Sequence, residues 1–230
     1  MKLLILIFCV LFSTQSLAQL LIAPTRLVLD GSNTTTQKVV VENTGDEPVR
    51  LEISTTYKKV VGDGVYRHDD NIAALENIQD SIRISPPVIR SLKPGQRRTI
   101  RVRVDAIDTN QPDGEYRAYL RFSPTPTTES APKTSQENTT SIDITFKIST
   151  FIPVYVSKGQ PAQNFTLQCH EGNFSIVNNS AFQLDTWLKL SDESEPKKLI
   201  LLRESTMTRP LTKNQKVVLT QDDQEIANCS

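Results

Sequence analysis

Apolar and polar residues alternate in short runs along most of this chain. RTIRVRV, residues 98–104, sets Ile100, Val102 and Val104 on one side and Arg101 and Arg103 on the other. A period of two is that of a half-buried β-strand. Related β-type runs are LLIAPTRLVL (20–29), QKVVVEN (37–43), VRLEISTTY (49–57), SIRIS (81–85), EYRAYLRF (115–122) and SIDITFKISTFIPVYV (141–156). Turn residues separate them, in NTGDEP, GDG, KPGQ and QPDG. About seven strands with close-set turns predict an antiparallel β-sandwich of immunoglobulin type. DNIAALENIQD (70–80) is the one helical candidate, and it is short enough to be read as a loop turn.

After Val156 the segment SKGQPAQ reads as a linker, and a second β series follows in NFTLQC, NFSIVNNS, TWLKLSD, KKLILLRE and QKVVLTQD. FSIVNNSAFQL repeats the logic of VVVENTGDEPVRL, a strand, an Asn-led polar turn and another strand. The expectation is therefore all-β, with two immunoglobulin-like sandwiches spanning residues 19–156 and 157–230.

One run raises a question of its own. In SIDITFKIST, Ile142, Ile144, Phe146 and Ile148 alternate with Asp143, Thr145, Lys147 and Ser149, behind the polar, proline-rich stretch SPTPTTESAPKTSQENTT. Such a strand carries four large apolar side chains on one face, which fill either its own core or another protein's.

The first residues read as a cleaved leader. Lys2 precedes the apolar run LLILIFCVLF and a small-x-small site ending at Ala18, so residues 1–18 are taken as a secretory signal peptide and Cys9 leaves with it. Export follows as an expectation, without membrane insertion. Loss of Lys2 leaves 25 Lys and Arg against 26 Asp and Glu, so no global field favours nucleic acid or an anionic membrane. Charge recognition has to be local.

Cys169 and Cys229 remain, the number for one disulfide in an oxidising compartment. A catalytic thiol or a metal site with His170 are the alternatives, and the chain offers no CxxC and only two histidines. His68-Asp69-Asp70 after GDG meets no cation-ligand spacing and reads as a solvated loop. Asp113 and Glu115 imitate a glycosidase pair in sequence only, and no Walker A or GxGxxG stretch occurs. No cofactor, metal or enzyme activity is expected. Six Asn-x-Ser/Thr triplets, from Asn33 to Asn228, support the alternative of a secreted adhesion or glycan-binding module.

Several stretches resemble the PapD-like periplasmic chaperones of pilus assembly. They are APTRLVLDG, VVVENTGDEPVRLEIS, ISPPVIRSLKPGQRRTIRV, QPDGEYRAYLRF and, for a second domain, FSIVNNSAFQL. The IPV run at 152–154 looks like the divergent, archaic branch of the family. The resemblance implies two angled sandwiches in the periplasm that hold one pilus subunit and hand it to an outer-membrane usher without ATP. It implies that Ile142, Ile144, Phe146 and Ile148 form a donor strand, by β-augmentation of a subunit lacking a strand. It makes Arg26 the anchor of the subunit's C-terminal carboxylate, with Lys147 the nearest candidate for a second cation. Glu115 keeps the acidic half of an interdomain ion pair, while Tyr155 stands about where the family has its arginine. Self-association of the free chain would hide the same strand.

Overall fold

In this computed structural model the described residues are 20–61, 64–65, 74–127 and 147–230, with backbone alone at 60, 61, 64 and 65. The first eleven strands are β1 (Leu20–Ala23), β2 (Leu27–Asp30), β3 (Thr35–Asn43), β4 (Val49–Thr56), β5 (Val60–Val61), β6 (Gly64–Val65), β7 (Ile82–Ser85), β8 (Val88–Leu92), β9 (Arg97–Val104), β10 (Gly114–Pro126) and β11 (Thr150–Lys158). They build one sheet in the order β1-β3-β9-β7, another in the order β2-β11-β10-β4-β8, and the small hairpin β5-β6. Ile100, Val102 and Val104 of β9 face a core shared with Val39 and Val41 of β3 and Leu120 of β10, while Arg101 and Arg103 face solvent, as the period of two predicts.

LLIAPTRLVL is not one strand. It divides into β1, which pairs with β3, and β2, which pairs parallel with β11 in the facing sheet. Pro24 lies at the division, and a residue without an N–H cannot continue a ladder. The run thus contributes an edge strand to each sheet. Of the helical candidate, residues 74–78 form a turn that leads into a short 3-10 turn at Gln79–Ser81.

The second set of strands is β12 (Phe165–His170), β13 (Asn173–Asn178), β14 (Leu184–Leu190), β15 (Lys197–Leu201), β16 (Thr206–Pro210), β17 (Val217–Gln221) and β18 (Gln224–Cys229). They form sheets β12-β13-β16 and β15-β14-β17-β18 over a separate, smaller core that includes Phe174, Ile176 and Leu219. β5, β6, β8, β16 and β18 have no counterpart among the predicted runs. Cys169 on β12 is joined to Cys229 on β18, so the bond ties an edge strand of one sheet to an edge strand of the other.

The echo between the two halves has a shared physical basis. Asn43 Nδ2 donates to the carbonyls of Glu47 and Leu92, and its Oδ1 accepts from Gly45 N–H. Asn178 Nδ2 donates to the carbonyls of Phe182, Leu201 and Leu202, and its Oδ1 accepts from Ser180 N–H. Each buried asparagine saturates backbone groups at a turn where no ladder can reach them. Asn178 is consequently no surface glycan acceptor.

Candidate functional site

β11 is the strand that leaves a ladder incomplete. Its whole length pairs antiparallel with β10, from Gly114↔Lys158 to Phe122↔Thr150. Its other edge pairs with β2 only from Val154↔Leu27 to Ser157↔Asp30. The outer edge of Thr150–Pro153 therefore meets no strand among the described residues. Pro153 suits such an edge, where proline is tolerated within a sheet.

Arg26 stands where that open edge stops. It is the exposed residue immediately before β2, and its charge acts on the phenol of Tyr155 in β11. Burial raises the Tyr155 pKa, Tyr119 and Glu115 raise it further, and Arg117 and Arg26 oppose them. Lys147 lies in the irregular segment 147–149 ahead of β11, at the other end of the open edge from Arg26. The edge Thr150–Pro153, about 10 Å of strand, lies between their backbone positions.

Ile148 is 74% exposed, next to half-open Phe151, over whose ring Lys58 Nζ sits 5.1 Å from the centroid. Ile142, Ile144 and Phe146 lie outside the described residues, as do His68, Asp69 and Asp70. His170 is exposed beside Glu171, and the cysteine next to it is spent in the expected disulfide, which leaves no thiol for the two alternatives of a catalytic thiol or a metal site with His170.

A second cluster sits where the sandwiches touch. Glu115 N–H donates to Ala181 O at 2.8 Å, and Glu115 O accepts from Arg203 Nη1 at 3.1 Å. Arg203 Nη2 also pairs with Glu204 Oε1 at 3.0 Å. On β10 two residues further, Arg117 is 1% exposed. Its Nη2 lies 3.7 Å from Glu76 Oε1, and its guanidinium stacks 5.5 Å from the Tyr57 ring centroid. The Tyr57 hydroxyl donates to the same carboxylate. Glu76 belongs to the 74–78 turn, which bonds β10 through Arg117 N–H to Glu76 O at 2.7 Å, beyond the end of β4. Tyr155 brings no cation to this joint, and Glu115 Oε1 finds no hydrogen-bond partner among the described residues. Arg203, from the other sandwich, supplies a cation at the joint.

A family model of the pili and flagellar-assembly chaperones, PapD N-terminal domain, matches residues 19–155. The chain belongs to this family. Among curated protein sequences none matches. Solved structures share the fold along both sandwiches. The E. coli chaperone DraB is 17% identical, with a TM-score of 0.55 over 91% of this chain and 95% of that one. SafB, solved with the SafA pilin of Salmonella enterica, is 12% identical at a TM-score of 0.56, covering 94% and 96%. CsuC is 15% identical at 0.53, covering 92% and 97%, in a pre-assembly complex with the tip adhesion subunit CsuE from archaic Csu pili of Acinetobacter baumannii. The family's work is folding and assembly, so the chaperone is not an enzyme, and Asp113 and Glu115 are not a catalytic pair. Asp113 instead crowds Gly159, where a Cβ would fall 2.2 Å from its carboxylate and the backbone holds a φ of +81°.

The chaperone's joint places a titration near neutrality. Burial pushes Glu115 from 4.5 up to about 7, with Arg117, Arg203 and the Gln183 backbone pulling the other way. Its native pKa is above the unfolded one, so the native state keeps the proton longer. The stability it contributes is complete below pH 4.5 and is lost as pH rises through about 7. Over that window the loss is at most about 3 kcal/mol. Glu76 is held low by Tyr57, its own backbone and both arginines against the cost of burial, so it acts only below the window. The melting temperature is expected to fall from pH 4.5 to pH 7, and Glu115→Gln to flatten that slope. A slope unchanged in the variant would assign it to another group.

Proposed function

We propose that this chaperone holds one pilus subunit in the periplasm by lending it the strand that ends in β11, then releases it to an outer-membrane usher. The observation that carries this reading is the open edge of Thr150–Pro153 running up to Arg26. β2 is parallel to β11, and a strand added in line with β2 and ahead of it would run the same way. Its C-terminus would arrive at Arg26, whose guanidinium suits a terminal carboxylate bidentately. An antiparallel strand would bring an ammonium there and be repelled. Backbone bonds along the edge supply affinity, and the alternating Ile142, Ile144, Phe146 and Ile148 supply the side chains that enter the subunit's groove. In this reading residues 19–156 form the subunit-holding domain and 157–230 the smaller second domain.

Solved relatives bound to a pilin or tip subunit support a subunit as partner. Arg26 is proposed as the carboxylate anchor at this edge, with Lys147 as the candidate for a second cation. The test is co-purification from the periplasm of a host making pili, beside Arg26→Ala. The wild-type chain is expected to carry a small β-rich subunit at near one-to-one ratio. Loss of one charge-assisted contact should weaken it roughly 10- to 100-fold. A subunit retained undiminished in Arg26→Ala moves the anchor elsewhere, and no partner at all sinks the reading.

A further inference from the structure

The outer face of the β1-β3-β9-β7 sheet takes no part in the open edge or the domain joint, and it is strongly cationic. Its outward ladder positions hold Lys38 of β3, Arg83 of β7 and Arg97, Arg101 and Arg103 of β9 against one acid, Glu42, in a chain that is neutral overall. The ladder registers set like charges against each other, Lys38 opposite Arg101 and Arg83 opposite Arg103. Directly opposed like charges destabilise a sheet. Carboxylates relieve only part of the face, with Asp105 on Arg103 at 3.2 Å and Glu42 on Arg97. Lys38, Arg90, Arg98 and Arg101 make no ion pair among the described residues, and Arg83 bonds only to the carbonyls of Asp80 and Ile82.

Two adjoining shallow depressions cross this region and meet at Pro86 and Thr99. Arg98 and Arg90, the latter on β8 of the facing sheet, border one, of about 480 Å³ at the edge of this face, and Lys38 and Arg101 border the other, of about 370 Å³. Guanidinium forks at such positions match phosphate oxygens. We propose that this face docks the chaperone, reversibly and by charge, on the surface of a bilayer containing anionic phospholipid. An acidic protein surface is the lesser fit. Tight protein interfaces rest on buried aromatic or aliphatic anchors, whereas the strand positions around these cations carry Thr36, Ser85 and Thr99, with Val40 the one aliphatic side chain among them. Leu21, the exposed apolar residue of this sheet, stands at its far edge on β1. A flat polar face suits lipid headgroups, and a bilayer surface rewards each nearby cation without requiring an apolar core.

The experiment is sedimentation of the mature protein with phosphatidylcholine vesicles, with and without an equal part of phosphatidylglycerol. The triple variant Arg83→Ser, Arg101→Ser, Arg103→Ser is compared with a control in which Lys189, Lys197 and Lys213 of the second sandwich become serine. Wild type and control are expected to partition onto the anionic vesicles alone and to leave them at ~0.5 M salt. The triple variant should partition roughly 100-fold less. It should also melt at or above the wild-type temperature, because it removes both opposed pairs. A merely structural role for these arginines would lower the melting temperature instead. Equal partitioning of wild type and triple variant overturns the proposal. So does a wild type that ignores the vesicles yet is retained on immobilised polyglutamate, which would give the face to a protein.

Discussion

Ile144→Asp combined with Ile148→Asp is expected to abolish capture of the pilus subunit. Each isoleucine that leaves water in a subunit groove contributes about 1.5–3 kcal/mol, so the pair accounts for roughly 3–6 kcal/mol before any penalty for the new charges. Two carboxylates facing an apolar groove with no partner add a further cost, since a buried charge must be paired. Together these exceed a roughly 100-fold loss of affinity. Ile148→Asp alone should leave the free protein's melting temperature unchanged, because that side chain is 74% exposed in the unliganded fold. Isothermal titration with a subunit in excess, beside thermal melts of the free variants, reads both effects. Undiminished binding by the double variant would mean that the alternating face is not what the groove receives.

Removing the disulfide should produce the largest change in stability. Cys169 and Cys229 are 60 residues apart, and closing a loop of that length is worth roughly 4 kcal/mol in the chain-entropy account. The bond joins β12 to β18 across the two sheets of a sandwich whose fully buried apolar cluster is the six residues Phe174, Ile176, Leu184, Leu201, Val217 and Leu219. A core that small has little surplus. Cys169→Ser with Cys229→Ser is expected to split a single calorimetric transition into two, the second sandwich melting first and the larger one keeping its midpoint. Treatment of the wild type with a thiol reductant should reproduce the split. Coincident transitions at the wild-type temperature would show that the smaller core stands without the bond.

How much of this was legible beforehand depends on what each residue responds to. The β9 alternation told which side chains enter the core, because a strand's period of two is set by local backbone geometry. The kinship of Asn43 and Asn178 was visible in VVVENTGDEP and FSIVNNSAF, since a turn's unpaired backbone groups demand a short polar side chain nearby. The cysteine pairing followed from there being two. Chain-order features failed at LLIAPTRLVL, where the run read continuous yet the two halves belong to different sheets. Its alternation is the same in either case, and only the partners on each side distinguish them.

The site divides along the same line. Sequence by itself determined the all-β architecture, the alternating apolar face at 142–148 and the presence of Arg26 before an apolar strand, all properties of neighbours along the chain. Only the tertiary structure decided that β2 stops short of Thr150–Pro153, that Arg26 stands at the end of the resulting gap, and that Lys147 stands at the other end. It also buried Arg117, whose position beside Tyr116 and Ala118 reads as solvent-facing, under a turn from residues 74–78, and it brought Arg203 to Glu115 across 88 residues. Periodicity says which way a side chain points from its own strand. What lies over that face is set by segments distant in sequence, whose approach is a consequence of packing and leaves no mark at the residue itself.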